Sequence, residues 1–172
     1  MEREILIWIQ ENLRNDLLTP VIMTITNLGH YGLIWILAAL VLLLRKDTRE
    51  LGSLTLASIA LCGGVSEIIK HFVMRPRPFL AIQDLRVLGQ PPHSFSFPSG
   101  HTVCAFAFAF IVWKMCRGRV RYFTLFLAAV MAFSRVYVGA HYPTDLLGGL
   151  LIAWLGSLLI WRYRSSILNL IP

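Results

Sequence analysis

A chain of 172 residues that is 56% hydrophobic and only 15% charged, with a mean hydropathy of +0.65, carries too little charge to face water on all sides, since soluble domains are about a quarter charged. The same figures exclude disordered, collagen-like and coiled-coil chains, and three cysteines set in apolar runs (Cys62, Cys104, Cys116) form neither a disulfide framework nor a zinc knuckle. The net charge of +7 comes from arginines scattered between apolar runs rather than lining one face, which argues against a nucleic-acid partner and for an integral membrane protein.

In chain order, residues 1–28 come first. Ile5, Leu6, Ile9, Leu13 and Leu17 recur at helical spacing, while Gln10, Glu11, Asn12, Arg14 and Asn15 cover the other faces. The pattern predicts an amphipathic helix lying in the membrane interface, interrupted at Pro20 and ended at Gly29. No secretory signal is expected, because Glu2 and Glu4 flank the start and no small-residue cleavage site follows. Five apolar segments then meet or approach the roughly 20 residues a span requires. They are 31–44, which draws on residues from about Asn27, then 51–72, 99–113, 122–138 and 146–161. The expected fold is an all-α integral membrane protein, a single domain over 1–172. It is a compact bundle of about six helices, five spanning and one amino-terminal and interfacial.

Orientation follows from the basic residues. Arg45, Lys46, Arg49, Lys114, Arg117, Arg119, Arg121, Arg162 and Arg164 fall on one side, nine of the sixteen. The positive-inside rule makes that side cytoplasmic, so loop 74–98 and turn 139–144 face outward.

Polar groups gather at the outward ends of these spans, where a membrane helix should carry none without a function. Lys70, Arg77 and Arg135 supply fixed positive charge and fork-shaped donors suited to phosphate oxygens. Ser99, Gly100 and His101 open a helix, where free backbone N–H groups and the positive dipole end favour an anion. His141 and Asp145 stand four apart, so one helical turn brings the carboxylate to the imidazole. A carboxylate on one ring nitrogen fixes the tautomer and leaves the other nitrogen free. Two histidines and three cations describe a phosphoryl-transfer site, without deciding which histidine attacks.

At these positions the chain resembles the type 2 phosphatidic acid phosphatase (PAP2) superfamily of membrane lipid phosphatases. Its three-part motif is Lys, six residues, Arg-Pro; then Pro-Ser-Gly-His; then Ser-Arg, five residues, His, three residues, Asp. Here Lys70 precedes HFVMRP and Arg77-Pro78, Pro98-Ser99-Gly100-His101 is intact, and Ser134-Arg135 precedes VYVGA, His141, YPT and Asp145. The motif region runs from 70 to 145, a little under half the chain.

The resemblance implies that His141 is the nucleophile, forming a phosphohistidine, and that Asp145 orients it. It implies that His101 protonates the leaving oxygen and then activates water. Lys70, Arg77, Ser99, the Gly100 N–H and Arg135 would hold the phosphoryl oxygens. Neither metal nor cofactor is needed in this scheme. The implied enzyme is a metal-independent hydrolase of the cell membrane, multi-pass, with its site on the extracytoplasmic side. Its expected partners are the bilayer and a lipid phosphate; its oligomeric state is left open. Undecaprenyl diphosphate is the expected substrate, with phosphatidylglycerol phosphate and phosphatidic acid as alternatives. A vanadate-binding haloperoxidase-like protein and a non-catalytic membrane protein are more distant readings.

Other polar residues carry plainer expectations. Glu67, one turn before Lys70, is expected to pair with a site cation. His30, His71 and His93 are incidental, and Arg75 is a headgroup or interface arginine. Arg86 and Gln83 belong to the outer loop. Trp8, Trp35, Trp113 and Trp161 read as interfacial belt residues. Gly63-Gly64, Gly148-Gly149 and the alanine-rich stretch 104–110 predict close helix packing.

Overall fold

A computed structural model describes residues 1–169 of the chain, and every regular element in them is helical. The amino-terminal segment is two helices rather than one: α1 (Glu2–Asn12) and α2 (Leu18–Leu28). The break is at Asn15, whose side-chain oxygen accepts the backbone N–H groups of Leu17 at 3.1 Å and Leu18 at 2.8 Å and so opens α2. Pro20 therefore sits in the first turn of α2, where its missing N–H costs nothing, instead of interrupting a helix. Gly29 ends α2 as expected, and a tight turn over His30–Gly32 leads into α3 (Leu33–Leu43). Gly32 takes a left-handed φ of 72°, open to glycine without a Cβ penalty. A 49° bend separates α2 from α3.

The long helix α4 (Arg49–Val73) follows, then the short α5 (Pro78–Ala81), α6 (Gly100–Met115), α7 (Arg119–Tyr137), α8 (Pro143–Arg162) and the short α9 (Arg164–Leu168). α6 is the centre of the bundle, packed on α4, α7 and α8. Ala105, Ala107 and Ala109 are fully buried on it, and so are Val103 and Ile111. Small side chains on a central helix let three neighbours approach at close range. A polar knot ties that centre together: Ser58 of α4 donates to the Ala107 carbonyl at 3.1 Å and meets the Ser157 hydroxyl of α8 at 3.1 Å.

The outside is the reverse. Ile68 and Phe72 on α4, Phe123 and Phe126 on α7, and Leu147, Leu151 and Leu155 on α8 are all exposed. An apolar exterior on long helices is a lipid-facing surface. Among the described residues, α7, α8 and the stretch built on α4 are long and apolar enough to cross a membrane, and the bent α2–α3 pair makes up to four. The expected span 99–113 is the 16-residue α6, shorter than a full crossing. The expected span 31–44 is met by only 11 residues of α3, and its upstream partner is α2 across the bend. α2 is thus one arm of a bent apolar pair with α3, and α1 is the more polar half of 1–28, the part that keeps the interfacial character expected there. Trp35 also departs from expectation: it is buried in the core, 5.5 Å from the Phe108 ring, rather than at an interface.

Candidate active site

Three chain breaks bring the motif residues to one end of the bundle. α4 ends at Val73 with Met74 as its cap, and the extended residue Arg77 caps α5, which begins at Pro78. α6 begins at Gly100 with Ser99 as its cap, and α7 ends at Tyr137. The Ala140 and His141 N–H groups then fold back onto the Arg135 carbonyl at 3.0 and 3.2 Å, which sets His141 against the end of α7.

His141 and Asp145 meet, though not across a helical turn. His141 precedes α8, and Asp145 is the third residue within it. The Asp145 Oδ2 accepts the Tyr142 N–H at 2.9 Å, and the same oxygen lies 3.3 Å from His141 Nδ1. A capping interaction therefore aims the carboxylate. Ser96 donates its hydroxyl to that oxygen at 2.5 Å. On the far side of the imidazole, Arg77 Nη1 lies 2.8 Å from His141 Nε2. Arg77 is itself held by the Ala140 carbonyl at 2.9 Å and by the Ser94 carbonyl at 2.8 Å and hydroxyl at 3.0 Å. A guanidinium can only donate, so Nε2 is the acceptor, and Nδ1 carries the proton toward Asp145. Burial pushes the His141 pKa down, to about 3; the Asp145 hydrogen bond opposes this, and the charges of Arg77 and Arg135 add to it. At neutral pH the ring is neutral, with one lone pair.

Around this pair stand the other cations. Lys70 is buried, and its ammonium is bonded to Glu67 Oε1 at 2.6 Å, the pairing the helical spacing predicted. A Cβ on Gly100 would stand 3.5 Å from Lys70 Nζ, so the ammonium lies over the start of α6. Arg135 donates to the Thr26 hydroxyl, and its buried Nε has no partner among the described residues. A buried guanidinium donor without a partner fits an anion still to come. The Thr26 carbonyl also takes His101 Nε2 at 3.2 Å, so one residue of α2 touches both Arg135 and His101. Ser99 is fully buried, accepts the Thr102 hydroxyl at 3.0 Å and gives its N–H to the Asp145 carbonyl at 3.1 Å.

The structure thus puts His141, Asp145 and Arg77 in direct contact, with Ser99 joined through the Asp145 backbone. Lys70 and Gly100 stand side by side, and Thr26 links His101 to Arg135. Sequence reasoning missed Thr26, Ser94 and Ser96, which belong to no recurring pattern. It also misplaced Arg75, which is bonded to the buried Asp145 rather than to a headgroup layer. Its position two residues before Arg77 was the available signal. Arg86 and Gln83 line a separate polar groove of about 680 Å³ with Gln10 and Arg14.

A helical membrane bundle with a histidine–carboxylate pair facing buried cations defines a class: multi-pass membrane proteins with an anion site at one end of the helices. The sequence profile of the PAP2 superfamily matches residues 52–167, and the chain belongs to that superfamily. An undecaprenyl-diphosphatase of Sulfolobus acidocaldarius is 29% identical over 140 residues, 76% of this chain and 65% of that protein. The chain therefore spans just under two thirds of that relative's length. The crystal structure of Aquifex aeolicus LpxE superposes with a TM-score of 0.83 at 25% identity, covering 93% of this chain and 94% of that one. A transmembrane PAP2-type phosphatidylglycerolphosphate phosphatase from Bacillus subtilis superposes with a TM-score of 0.78 at 26% identity, covering 96% and 85%.

Proposed function

We propose that the protein is a lipid phosphatase that transfers a phosphoryl group to His141 and then to water. The observation that carries this reading is the state of His141: Nδ1–H faces Asp145, and the bare Nε2 faces Arg77. That is a nitrogen nucleophile with its tautomer set and a phosphate-binding cation at its lone pair. In the first step the Nε2–P bond forms as the bond from phosphorus to the leaving oxygen breaks. His101, protonated on both nitrogens once the anionic substrate is bound, gives that oxygen its Nδ1 proton. In the second step His101 takes a proton from water, whose oxygen displaces the imidazole. Because the Thr26 carbonyl holds Nε2–H of His101, Nδ1 is the nitrogen through which the proton passes. Lys70, Arg77, Arg135, Ser99 and the Gly100 N–H hold the phosphoryl oxygens as charge builds.

The substrate we favour is undecaprenyl diphosphate, after the name of the Sulfolobus relative. Phosphatidylglycerol phosphate, named for the Bacillus structure, and phosphatidic acid are the alternatives. The side of the site is proposed from the basic-residue count: loop 74–98 and turn 139–144 lie outside the cell. Purified protein in detergent, assayed for phosphate release from the three lipids side by side, tests the reading. Fastest release from undecaprenyl diphosphate, lost in His141→Ala, is the expected result. Release from none of them, or release that survives His141→Ala, overturns it.

A further inference from the structure

The Asp145 carboxylate is fully buried, and its two oxygens are shared unequally. Oδ2 serves Ser96, Tyr142 N–H and His141. Oδ1 takes the Arg75 Nη1 at 2.7 Å. Arg75 is fixed in turn. Its Nη1 also reaches the Thr144 hydroxyl at 2.7 Å, its Nη2 reaches Glu2 Oε2 at 2.7 Å, and its guanidinium lies 3.8 Å over the Tyr142 ring. Glu2 spends its other oxygen on Thr144, accepting the hydroxyl at 2.6 Å and the N–H at 3.1 Å. The Arg75 carbonyl also accepts the Ser96 N–H at 2.9 Å, placing the hydroxyl that serves Asp145 Oδ2. Among the described residues Arg75 makes no hydrogen bond to Lys70, Arg77, Ser99 or Arg135.

We propose that Arg75 is the positioning residue of the His141–Asp145 pair and that Glu2 on α1 holds Arg75 in place, so that docking of the amino-terminal helix sets the geometry of the nucleophile. The proposal rests on the phosphatase reading above. Its physical basis is the cost of a buried carboxylate. Without Arg75, Oδ1 loses its charged donor, and the carboxylate relieves the loss by rotating or taking a proton. Either change weakens its hold on Nδ1–H, and Nε2 is no longer the one free nitrogen. A lysine keeps the charge but lacks the fork that reaches Asp145 and Glu2 together. Glu2 reaches the Asp145 carboxylate only through Arg75; its Thr144 contacts can be kept by the amide oxygen of a glutamine, so the effect of Glu2→Gln should vanish once Arg75 is gone.

Arg75→Ala, Arg75→Lys, Glu2→Gln and the double variant Glu2→Gln/Arg75→Ala are compared in detergent, with Arg3→Ala as a control. Arg3 lies on α1 too, but pairs with Asp84 at the surface. Arg75→Ala should lower kcat by about 100-fold, the scale of a misaligned reacting group. KM and the inhibition constant of inorganic phosphate should stay within about twofold, since the anion-binding side chains are untouched. Arg75→Lys should recover part of the loss. Glu2→Gln should cost about tenfold, the double variant no more than Arg75→Ala alone, and Arg3→Ala nothing. An unchanged kcat with a lowered melting temperature would make Arg75 a mere strap, and a matching loss of phosphate inhibition would make it an anion ligand; either overturns the proposal. A second readout does not need turnover. ¹⁵N-histidine spectra, assigned by loss of the signal in His141→Gln, should show the Nδ1–H tautomer in the wild type and a mixture in Arg75→Ala and Arg75→Lys. The same tautomer in all three overturns the proposal, even if the wild type cleaves none of the lipids and the phosphatase reading has failed.

Discussion

Arg77 donates a hydrogen bond to Nε2 of His141 at 2.8 Å, so the resting lone pair of the proposed nucleophile is already covered by a cation. An arriving phosphoryl group must exchange with that bond. On the proposed mechanism the Arg77 donor then turns to a phosphoryl oxygen as Nε2 closes on phosphorus, and one guanidinium serves both states. The tethers to Ser94 and Ala140 keep the movement small.

Arg77→Lys tests this exchange. A lysine preserves the charge but cannot hold two carbonyls and face the imidazole at once. We expect kcat to fall by about 10²–10³, as for loss of one preorganised donor to a developing oxyanion. Steady-state kinetics check it; a change confined to KM would speak against a role in the reacting geometry.

The two histidines should separate by leaving group. His141→Ala should abolish turnover and any covalent phosphoenzyme. His101→Ala should be slow on ordinary lipids, because the departing oxygen goes unprotonated, and recover in part on an aryl phosphate whose leaving group needs no proton. Rapid-quench labelling with radioactive substrate checks both, and phosphate trapped on the His141→Ala protein would reverse the roles.

Acid should act on stability through His141. A carboxylate partner by itself raises an imidazole pKa, but burial among Arg77 and Arg135 lowers this one to about 3. The unfolded chain titrates near about 6.5, so below that pH the unfolded state binds a proton that the folded state refuses. The stability in question is fully present above about pH 6.5 and is lost progressively toward pH 3. The melting temperature of the wild type should drop more steeply between about pH 7 and pH 5 than that of His141→Gln. Parallel curves would count against it.

Gly149 should resist substitution. A Cβ there would meet the Ser99 carbonyl at 3.0 Å and Thr102 Cβ at 3.1 Å, and the first of these is backbone. Gly149→Ala should push α8 off the start of α6 at a cost of about 1–3 kcal/mol. Because Ser99 and Asp145 share a backbone hydrogen bond at that seam, activity should fall with the melting temperature. Gly63→Ala meets open space and serves as the control.

The parts that were readable from the chain are those written in local spacing. Glu67 and Lys70 are one helical turn apart and do pair. Gly29 does end a helix, and the alanines of 104–110 do pack at the centre. The nearness of His141 to Asp145 was readable too, yet its cause was not: a cap geometry at α8 stands where a helical turn was expected. Arg75 and Glu2 are 73 positions apart, and a pairing of that kind leaves no periodic trace. Trp35 misled because tryptophan suits both an interface and a core, and only the neighbour Phe108 decides between them. The bend at Gly29 hid the pairing of α2 with α3, since neither is long enough by itself to cross and the two pass for a span only together.

The shortness of α6 has a bearing on how a lipid and the protein meet. Its 16 residues rise about 24 Å, against about 30 Å of hydrocarbon. If Lys114 and Arg117 anchor in one headgroup layer, an upright α6 leaves Ser99 and Gly100 several ångströms short of the other. A phosphate attached to a membrane-embedded tail would reach that depth by sliding laterally, its chain still solvated by its neighbours. A water-soluble phosphate ester would have to leave bulk water to arrive there. On the proposed lipid phosphatase reading, the length of one helix would then be a filter that sorts phosphates by what they are attached to, before any side chain inspects them.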